Sequence, residues 1–222
     1  MNEIFLSIIL IILNYLVGSI SSAILISKYI RKVDIRKVGF KTAGGSNVAE
    51  SIGFKWGFIV GAFDLLKGIP ILILAKFLEV NLNYQSLIAI APIIGHCWPI
   101  WFKFAGGRGL ATFYGVSLLL FPKLIIYPII AFAFTIFPWY LRKFKKIEFK
   151  LISSPTLTLA GIVLFVILTI KTNGVADNIF SILSLIIILT RRVTARPKEY
   201  KKYNPIKLFF SRLIFDESEA IK

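Results

Sequence analysis

Long runs of apolar residues alternate with short clusters of charged residues along this chain, and they define its predicted elements. The first run, residues 4–27, contains no charged side chain. A helix needs about 20 apolar residues to cross roughly 30 Å of hydrocarbon, so this run can span a bilayer. It is too long for a signal-peptide core and has no basic residue before it, so we expect it to be retained.

The same reasoning predicts seven spans, at residues 4–27, 56–78, 84–102, 109–121, 122–140, 155–170 and 176–190. Pro122 marks the break between the fourth and fifth, because proline ends or kinks a helix. Several spans are shorter than the bilayer, which leaves tilted or re-entrant segments open for spans three to seven.

The basic residues between the spans predict the orientation of the chain. Of the 27 Lys and Arg residues, 23 lie in four segments, at 28–55, 103–108, 141–150 and 191–222. Seven spans place all four segments on one side of the bilayer, and basic loops stay in the cytoplasm. The predicted fold class is therefore an all-α integral membrane protein of about seven transmembrane helices, with the N-terminus outside and the C-terminus in the cytoplasm.

Two domains follow from this pattern. Residues 1–190 form the predicted transmembrane domain, and residues 191–222 form a basic cytoplasmic tail. The tail mixes basic and aromatic residues, a composition that suits either a segment lying on the inner leaflet or a solvated tail.

Composition favours a membrane protein over a nucleic-acid-binding one. The chain is 57% hydrophobic, with a mean hydropathy of +0.79. Its net charge of +16 would attract phosphate backbones, but cytoplasmic loops carry the same excess, so we expect no nucleic acid. Cys97 is the only cysteine and His96 the only histidine, which excludes an internal disulfide and argues against a zinc site.

Glycine and hydroxyl residues crowd into the cytoplasmic segment 34–47. Glycine permits positive φ, which lets successive backbone N–H groups point at one anion. Arg36, Lys37 and Lys41 add positive charge. This composition fits a phosphate-binding loop and a flexible cytoplasmic loop equally well.

A second glycine-rich segment, Gly-Gly-Arg-Gly at residues 106–109, comes directly before the fourth span. Free N–H groups at a helix N-terminus and the guanidinium of Arg108 together suit a phosphate. The spacing is not that of a P-loop. His96 lies upstream and is interpreted either as a base or as a packing or capping residue.

Two further polar features have no assigned chemistry from composition. Asp64 and Lys67 are three residues apart, so they lie on one helix face as a structural ion pair or as support for a site. Ser154 before Pro155 is an ordinary helix start, with Ser154 as the N-cap.

Three blocks resemble the bacterial acyl-phosphate:glycerol-3-phosphate acyltransferases (the PlsY family), in the right order and over nearly the whole chain. Residues 17–25 resemble the opening GSI–S–A stretch, residues 63–68 are similar to FD-x-x-KG, and residues 95–112 to GH-x-x-P…F-x-GGKG-x-AT. The resemblance implies transfer of a fatty acyl group from acyl phosphate to the 1-hydroxyl of glycerol 3-phosphate. The products are lysophosphatidic acid and phosphate, in phospholipid biosynthesis.

The resemblance also implies a multi-pass enzyme of the bacterial inner (cytoplasmic) membrane, in contact with membrane lipid and without metal or other cofactor. We expect a monomer. By resemblance and position, the catalytic residues are Arg108, His96, Ser153 and Ser154. The residues expected to bind substrate phosphate are Arg36, Gly39, Thr42, Gly44, Ser46, Asn47, Lys103, Gly106, Gly107 and Gly109. Attack on an activated carbonyl requires mainly positioning and charge stabilisation.

The chain also departs from the family pattern. Its first loop has three different residues, Phe40, Lys41 and Thr42. Arg108 replaces the phosphate-loop Lys, and the two cations are not equivalent. In the last motif, similar to RH-x-x-NI, Arg191 replaces the His and Thr194 the Asn, and an Arg cannot act as a general base.

Three alternatives therefore stay open beside the acyltransferase. They are a non-catalytic relative that binds lipid or acyl phosphate, an acyltransferase with a different acceptor, and a small transporter or channel subunit. The inverted repeat and paired discontinuous helices typical of transporters are not visible in the sequence.

Overall fold

The computed structural model describes residues 2–133, 154–172 and 174–194, together with Phe209 and Arg212. All the regular elements in these ranges are helices, which confirms the predicted all-helical class. The α-helices are α1 (Glu3–Gly18), α2 (Ser22–Arg31), α3 (Gly45–Ser51), α4 (Phe54–Leu66), α5 (Ile69–Phe77), α6 (Leu82–Cys97), α7 (Leu110–Leu120), α8 (Ile126–Ala133), α9 (Ser154–Thr172) and α10 (Val175–Thr194). Short 3-10 helices lie at Ile35–Lys37 and Ile100–Phe102.

Three helical segments have the length and composition to cross a membrane, namely Glu3–Arg31, Phe54–Phe77 and Leu82–Phe102. Aromatic side chains project from the first two, since Phe5 is 57% exposed and Phe58 is 69% exposed. Exposed apolar surface of this kind suits contact with lipid rather than with water.

The first predicted span, residues 4–27, is confirmed within Glu3–Arg31, but its helix is interrupted between α1 and α2. The amide and the hydroxyl of Ser19 both donate to the carbonyl of Tyr15, at 2.8 and 2.9 Å. Ser21 then adopts extended backbone angles (φ −96°, ψ 93°). Serine side chains compete for backbone hydrogen bonds, which favours helix ends. The break leaves the carbonyl of Ile20 available to a side chain elsewhere in the fold.

The second predicted span, residues 56–78, is also two helices, because the chain turns at Lys67 and Gly68 between α4 and α5. A Cβ on Gly68 would lie 2.7 Å from a ring carbon of Pro92 and 2.9 Å from a methyl group of Val116. Only glycine therefore allows this turn to pack against both α6 and α7.

The segment Leu82–Phe102 confirms the third predicted span, and helices α7 to α10 overlap the stretches predicted for the other four. The break at Pro122 is confirmed, since α7 ends at Leu120 and α8 begins at Ile126. The seventh span was predicted to end at residue 190, but α10 continues to Thr194. Residues 134–140 of the fifth span lie outside the described residues.

Helix α6 packs closely against α1 through two glycines. A Cβ on Gly18 would overlap the backbone of Pro92, and a Cβ on Gly95 would overlap the carbonyl of Tyr15. Small residues at such crossings let helix backbones approach closely in membrane proteins. The last turn of α6, which includes His96, is therefore held against the break between α1 and α2.

Phenylalanines from α7, α9 and α10 form a shared core that packs α7 against both of the other helices. The ring of Phe113 meets Phe165 edge-on at 5.4 Å between centroids and stacks on Phe180 at 6.1 Å. Such aromatic pairs add about 0.5–1.5 kcal/mol beyond their buried area. This packing places the glycine-rich turn before α7 within reach of α10.

Candidate functional site

The first glycine-rich segment, residues 34–47, is an ordered loop built around the buried side chain of Asn47. The Nδ2 group donates to three backbone carbonyls, those of Ile35 at 2.8 Å, Val38 at 3.1 Å and Thr42 at 2.9 Å. The Oδ1 atom accepts from the amide of Phe40 at 2.8 Å. These bonds favour the structured loop over the flexible one and give Asn47 an organising role.

Gly39 occupies a position in this loop that only glycine fits. Its φ is +54°, in the left-handed region, and a Cβ there would overlap the side chains of Asn47 and Ser51. The predicted phosphate-binding residues nearby differ in exposure, because Ser46 is exposed whereas Thr42 and Gly44 are half-buried.

The second glycine-rich segment folds back onto the end of α6. The amide of Gly106 donates to the carbonyl of Cys97 at 3.2 Å, and the amide of Gly107 donates to the carbonyl of His96 at 3.1 Å. A Cβ on Gly107 would overlap the Nε2 atom of His96 and would lie 2.5 Å from the carbonyl oxygen of Ala43. Gly107 is therefore the point where the two glycine-rich loops and His96 meet.

Arg36 ties the two loops together. Its Nε and Nη2 atoms each donate to a carboxylate oxygen of Asp34 at 2.9 Å. Its Nη1 atom donates to the carbonyls of Phe102 at 3.1 Å and Ala105 at 3.4 Å. The hydrogen bond from Arg36 holds the pKa of the Asp34 carboxyl below its usual value. All three nitrogens of Arg36 thus have protein partners, which favours positioning of the second loop over direct phosphate binding.

A buried polar cluster of Asp64, Lys67 and His96 lies behind Gly107. The Nζ atom of Lys67 is 3.0 Å from the Oδ1 atom of Asp64, 3.0 Å from the Nδ1 atom of His96 and 3.2 Å from the carbonyl of Ile20. An ammonium group can donate three hydrogen bonds and accept none, and three acceptor atoms surround the Nζ atom of Lys67. His96 Nδ1 also lies 3.5 Å from the Oδ1 atom of Asp64, so this ring nitrogen faces both the ammonium and the carboxylate.

Asp64 also anchors α7 beside the cluster. The hydroxyl of Thr112 donates to the backbone carbonyl of Asp64 at 2.9 Å, near the end of α4 where helical donors run out. A Cβ on Gly115, one turn further along α7, would overlap the carbonyl of Leu65. The first turn of α7, which follows Gly109, is held in place by these contacts.

Arg191, on the last turn of α10, holds the glycine-rich turn from the other side. Its Nε atom donates to the carbonyl of Gly107 at 3.0 Å, and its Nη2 atom donates to the carbonyl of Gly106 at 2.9 Å. Its guanidinium carbon lies 5.8 Å from the ring centroid of Trp98. The residue that departs from the family pattern therefore contacts the predicted phosphate loop directly.

The structure brings His96 next to residues 106–109 and connects the loop at residues 34–47 to this turn through Ala43 and Arg36. Arg108 is half-buried between Gly107 and Gly109, which has a φ of +82° and caps α7. Lys103 is exposed on the turn before it. Ser153 lies outside the described residues, and Ser154 begins α9 but its side chain is not described. The described residues contain no cluster of three or more metal-ligating side chains.

Three residues of the site were absent from the predicted set. Asp64 and Lys67 were recognised as a pair on one helix face, but no spacing in the sequence connects them to His96, which follows Lys67 by 29 residues. Arg191 was recognised only as a departure from the family pattern. The sequence did not show that Arg191 is buried, with only 6% of its surface exposed.

Comparison with known proteins gives a consistent family. The chain matches the family profile of glycerol-3-phosphate acyltransferases over residues 8–198. It is 43% identical over 122 residues to glycerol-3-phosphate acyltransferase 4 of Dehalococcoides mccartyi, covering 55% of this chain and 52% of the relative. It is 41% identical over 113 residues to glycerol-3-phosphate acyltransferase of Thermoanaerobacter pseudethanolicus, covering 51% of this chain and 57% of the relative.

A solved structure extends the similarity to the fold. The chain resembles PlsY (YgiH), an integral membrane glycerol 3-phosphate acyltransferase in its glycerol 3-phosphate form, with a TM-score of 0.72 and 25% identity. The match covers 92% of this chain and 98% of that one. The fold and the apolar helices define a multi-pass, all-helical membrane protein. The chain belongs to the glycerol-3-phosphate acyltransferase family. It spans about half the length of the curated relatives it matches.

Proposed function

We propose that this protein transfers a fatty acyl group from acyl phosphate to the 1-hydroxyl of glycerol 3-phosphate, forming lysophosphatidic acid and phosphate. The observation that carries the proposal is the position of Gly107, which joins two basic glycine-rich loops at one place. Two phosphate-bearing substrates need two such loops, and Arg108 follows Gly107 directly. Family membership supports the same reaction.

In the proposed reaction, the hydroxyl oxygen of the acceptor attacks the carbonyl carbon of the acyl phosphate. The bond from that carbon to the phosphate oxygen breaks, and phosphate leaves with the bonding electrons. The hydroxyl proton passes to an oxygen of the departing phosphate, so the step balances without a protein base. The protein supplies positioning and positive charge in this mechanism.

The proposed topology has seven spans, with the N-terminus outside and the C-terminus in the cytoplasm of a bacterial inner membrane. Contacts support placing the basic segments on one side, because Gly107 meets Ala43 and Arg191 meets Gly106. Residues from three of the four basic segments therefore lie together. A monomer, with residues 1–190 as the membrane domain and residues 191–222 as its tail, completes the proposal.

The first experiment measures phosphate release from palmitoyl phosphate by the purified protein in lipid nanodiscs, with and without glycerol 3-phosphate. Release that depends on the acceptor, with lysophosphatidic acid formed, is the expected result. Arg108→Ala is expected to abolish turnover while the protein still inserts and folds. Unchanged activity in that variant would remove the assignment of Arg108 to the phosphate site.

The second candidate function is a non-catalytic relative that binds acyl phosphate or lipid. Arg191 and Thr194 favour it, because these residues stand where the resemblance expects a His and an Asn. Binding of palmitoyl phosphate without any release of phosphate would support this candidate over the enzyme. Release with a different acceptor alcohol would instead identify an acyltransferase of altered specificity.

A further inference from the structure

Arg191 is a buried cation without a carboxylate partner among the described residues. Its side chain lies on the last turn of α10, and only 6% of the residue surface is exposed. Its contacts are the carbonyls of Gly106 and Gly107 and the ring of Trp98. A buried charge is costly unless an opposite charge accompanies it. The site is therefore complementary to an anion that the described residues do not supply.

Some N–H groups of Arg191 donate to the Gly106–Gly107 turn, and others remain for a ligand. A guanidinium has five N–H hydrogens, and the two carbonyls use one each on Nε and Nη2. The Nη1 atom makes no hydrogen bond to any residue in the described ranges. It is also not fully buried, so part of its surface is accessible. It is therefore the part of the fork that a bound molecule can reach.

A second guanidinium, that of Arg108, adds positive charge beside the Gly106–Gly107 turn. Arg108 follows Gly107 in the chain, and its charge repels that of Arg191. Two like charges near one glycine-rich turn favour the binding of an anion there, since arginine pairs with phosphate oxygens through charge-assisted hydrogen bonds.

We propose that Arg191 binds the phosphate group of a substrate through Nη1 while Nε and Nη2 hold the Gly106–Gly107 turn in its binding conformation. The inference rests on the proposed function for the identity of the substrate, but not for the phosphate chemistry. Acyl phosphate and glycerol 3-phosphate both carry that group. Arg191 is thus a binding and positioning residue in this chain, in place of the imidazole expected at this position.

The test compares wild-type protein with Arg191→Gln and Arg191→Lys in lipid nanodiscs. Binding of inorganic phosphate is measured by calorimetry, which needs no enzymatic activity. A charge-assisted hydrogen bond of this kind corresponds to a loss of about 10- to 100-fold in affinity. We expect that loss in Arg191→Gln and a smaller one in Arg191→Lys, which keeps the charge without the fork.

The matched control is Arg31→Gln, which removes an exposed arginine at the end of α2. Its phosphate affinity should equal that of the wild type. Wild-type affinity in the Arg191 variants, an equal loss in Arg31→Gln, or no phosphate binding by the wild type would overturn the proposal. Melting temperatures show which variants fold. If Arg191→Gln does not fold, the phosphate affinity of Arg191→Lys tests the proposal.

Steady-state kinetics of the same variants then distinguish the two phosphate sources. A raised KM for palmitoyl phosphate assigns Arg191 to the acyl donor, whereas a raised KM for glycerol 3-phosphate assigns it to the acceptor. A fall in kcat with both KM values unchanged would contradict a binding role. If the wild type has no acyltransferase activity, the calorimetric result still decides whether Arg191 binds phosphate.

Discussion

The side-chain amide of Asn14 donates to the carbonyl of Ile88 at 2.9 Å. This carbonyl lies four residues before Pro92, which has no N–H to donate to it within α6. The same amide lies 3.3 Å from the carbonyl of Gly68, at the turn between α4 and α5. One buried side chain on α1 therefore supplies the donor that Pro92 cannot give to Ile88, and it also contacts the turn between α4 and α5.

Asn14→Leu is expected to destabilise the protein by about 1–3 kcal/mol, the cost of leaving a buried polar group without its partner. The cost should be smaller in a Pro92→Ala background, because alanine supplies the amide that Ile88 lacks. Thermal unfolding can be followed with a thiol-reactive dye, since Cys97 is buried and is the only cysteine. An equal cost in both backgrounds would show that Asn14 does not compensate for the proline.

Asp64→Asn is expected to destabilise the protein by roughly 3–5 kcal/mol, because it leaves the buried ammonium of Lys67 without its carboxylate. The double variant Asp64→Asn with Lys67→Met should be more stable than the single one, since it removes the uncompensated charge. The same dye assay measures both. Glu79→Gln, at an exposed acid away from the cluster, is the control and should change stability by less than about 0.5 kcal/mol. A double variant as unstable as the sum of its singles would rule out the pairing.

Gly107→Ala is expected to lower kcat/KM about 100-fold or more, because the added methyl group displaces either His96 or the loop at Ala43. Gly61→Ala is a matched control, since a Cβ at Gly61 meets nothing within 4 Å. That change lies inside α4 and should stabilise the helix by up to about 1 kcal/mol with kcat/KM unchanged. Equal activity of the two variants would show that the loops need not meet at Gly107.

Acid should loosen the link between the two loops. The hydrogen bond from Arg36 lowers the pKa of Asp34 from its usual 3.8 in the folded protein. The stabilisation is therefore complete above pH 3.8 and is lost as the pH falls through the lowered value. Melting temperatures measured from about pH 6 to pH 3 should fall less steeply in Asp34→Asn than in the wild type. Identical slopes would mean that this ion pair does not contribute to pH-dependent stability.

Hydropathy predicted the helical class and most helix positions correctly, because it is an average over many residues. Two of the long spans nevertheless contain a helix interruption that hydropathy did not indicate. Each has an interruption at a glycine or serine that a distant residue completes, with Asn14 bonded to Gly68 and Lys67 bonded to Ile20. A run of apolar residues looks the same whether or not a distant donor satisfies a carbonyl within it.

For the site, too, the sequence predicted local features and the tertiary structure decided the long-range contacts. The sequence alone determined that two glycine-rich basic segments exist and that Gly107 and Arg108 belong to one of them. Only the tertiary structure decided that Asp64 and Lys67 meet His96, and that Arg191 holds the turn. Those contacts depend on close helix crossings, which place residues far apart in the chain within hydrogen-bonding distance. Local composition does not predict which distant residue will form a hydrogen bond with a buried polar group.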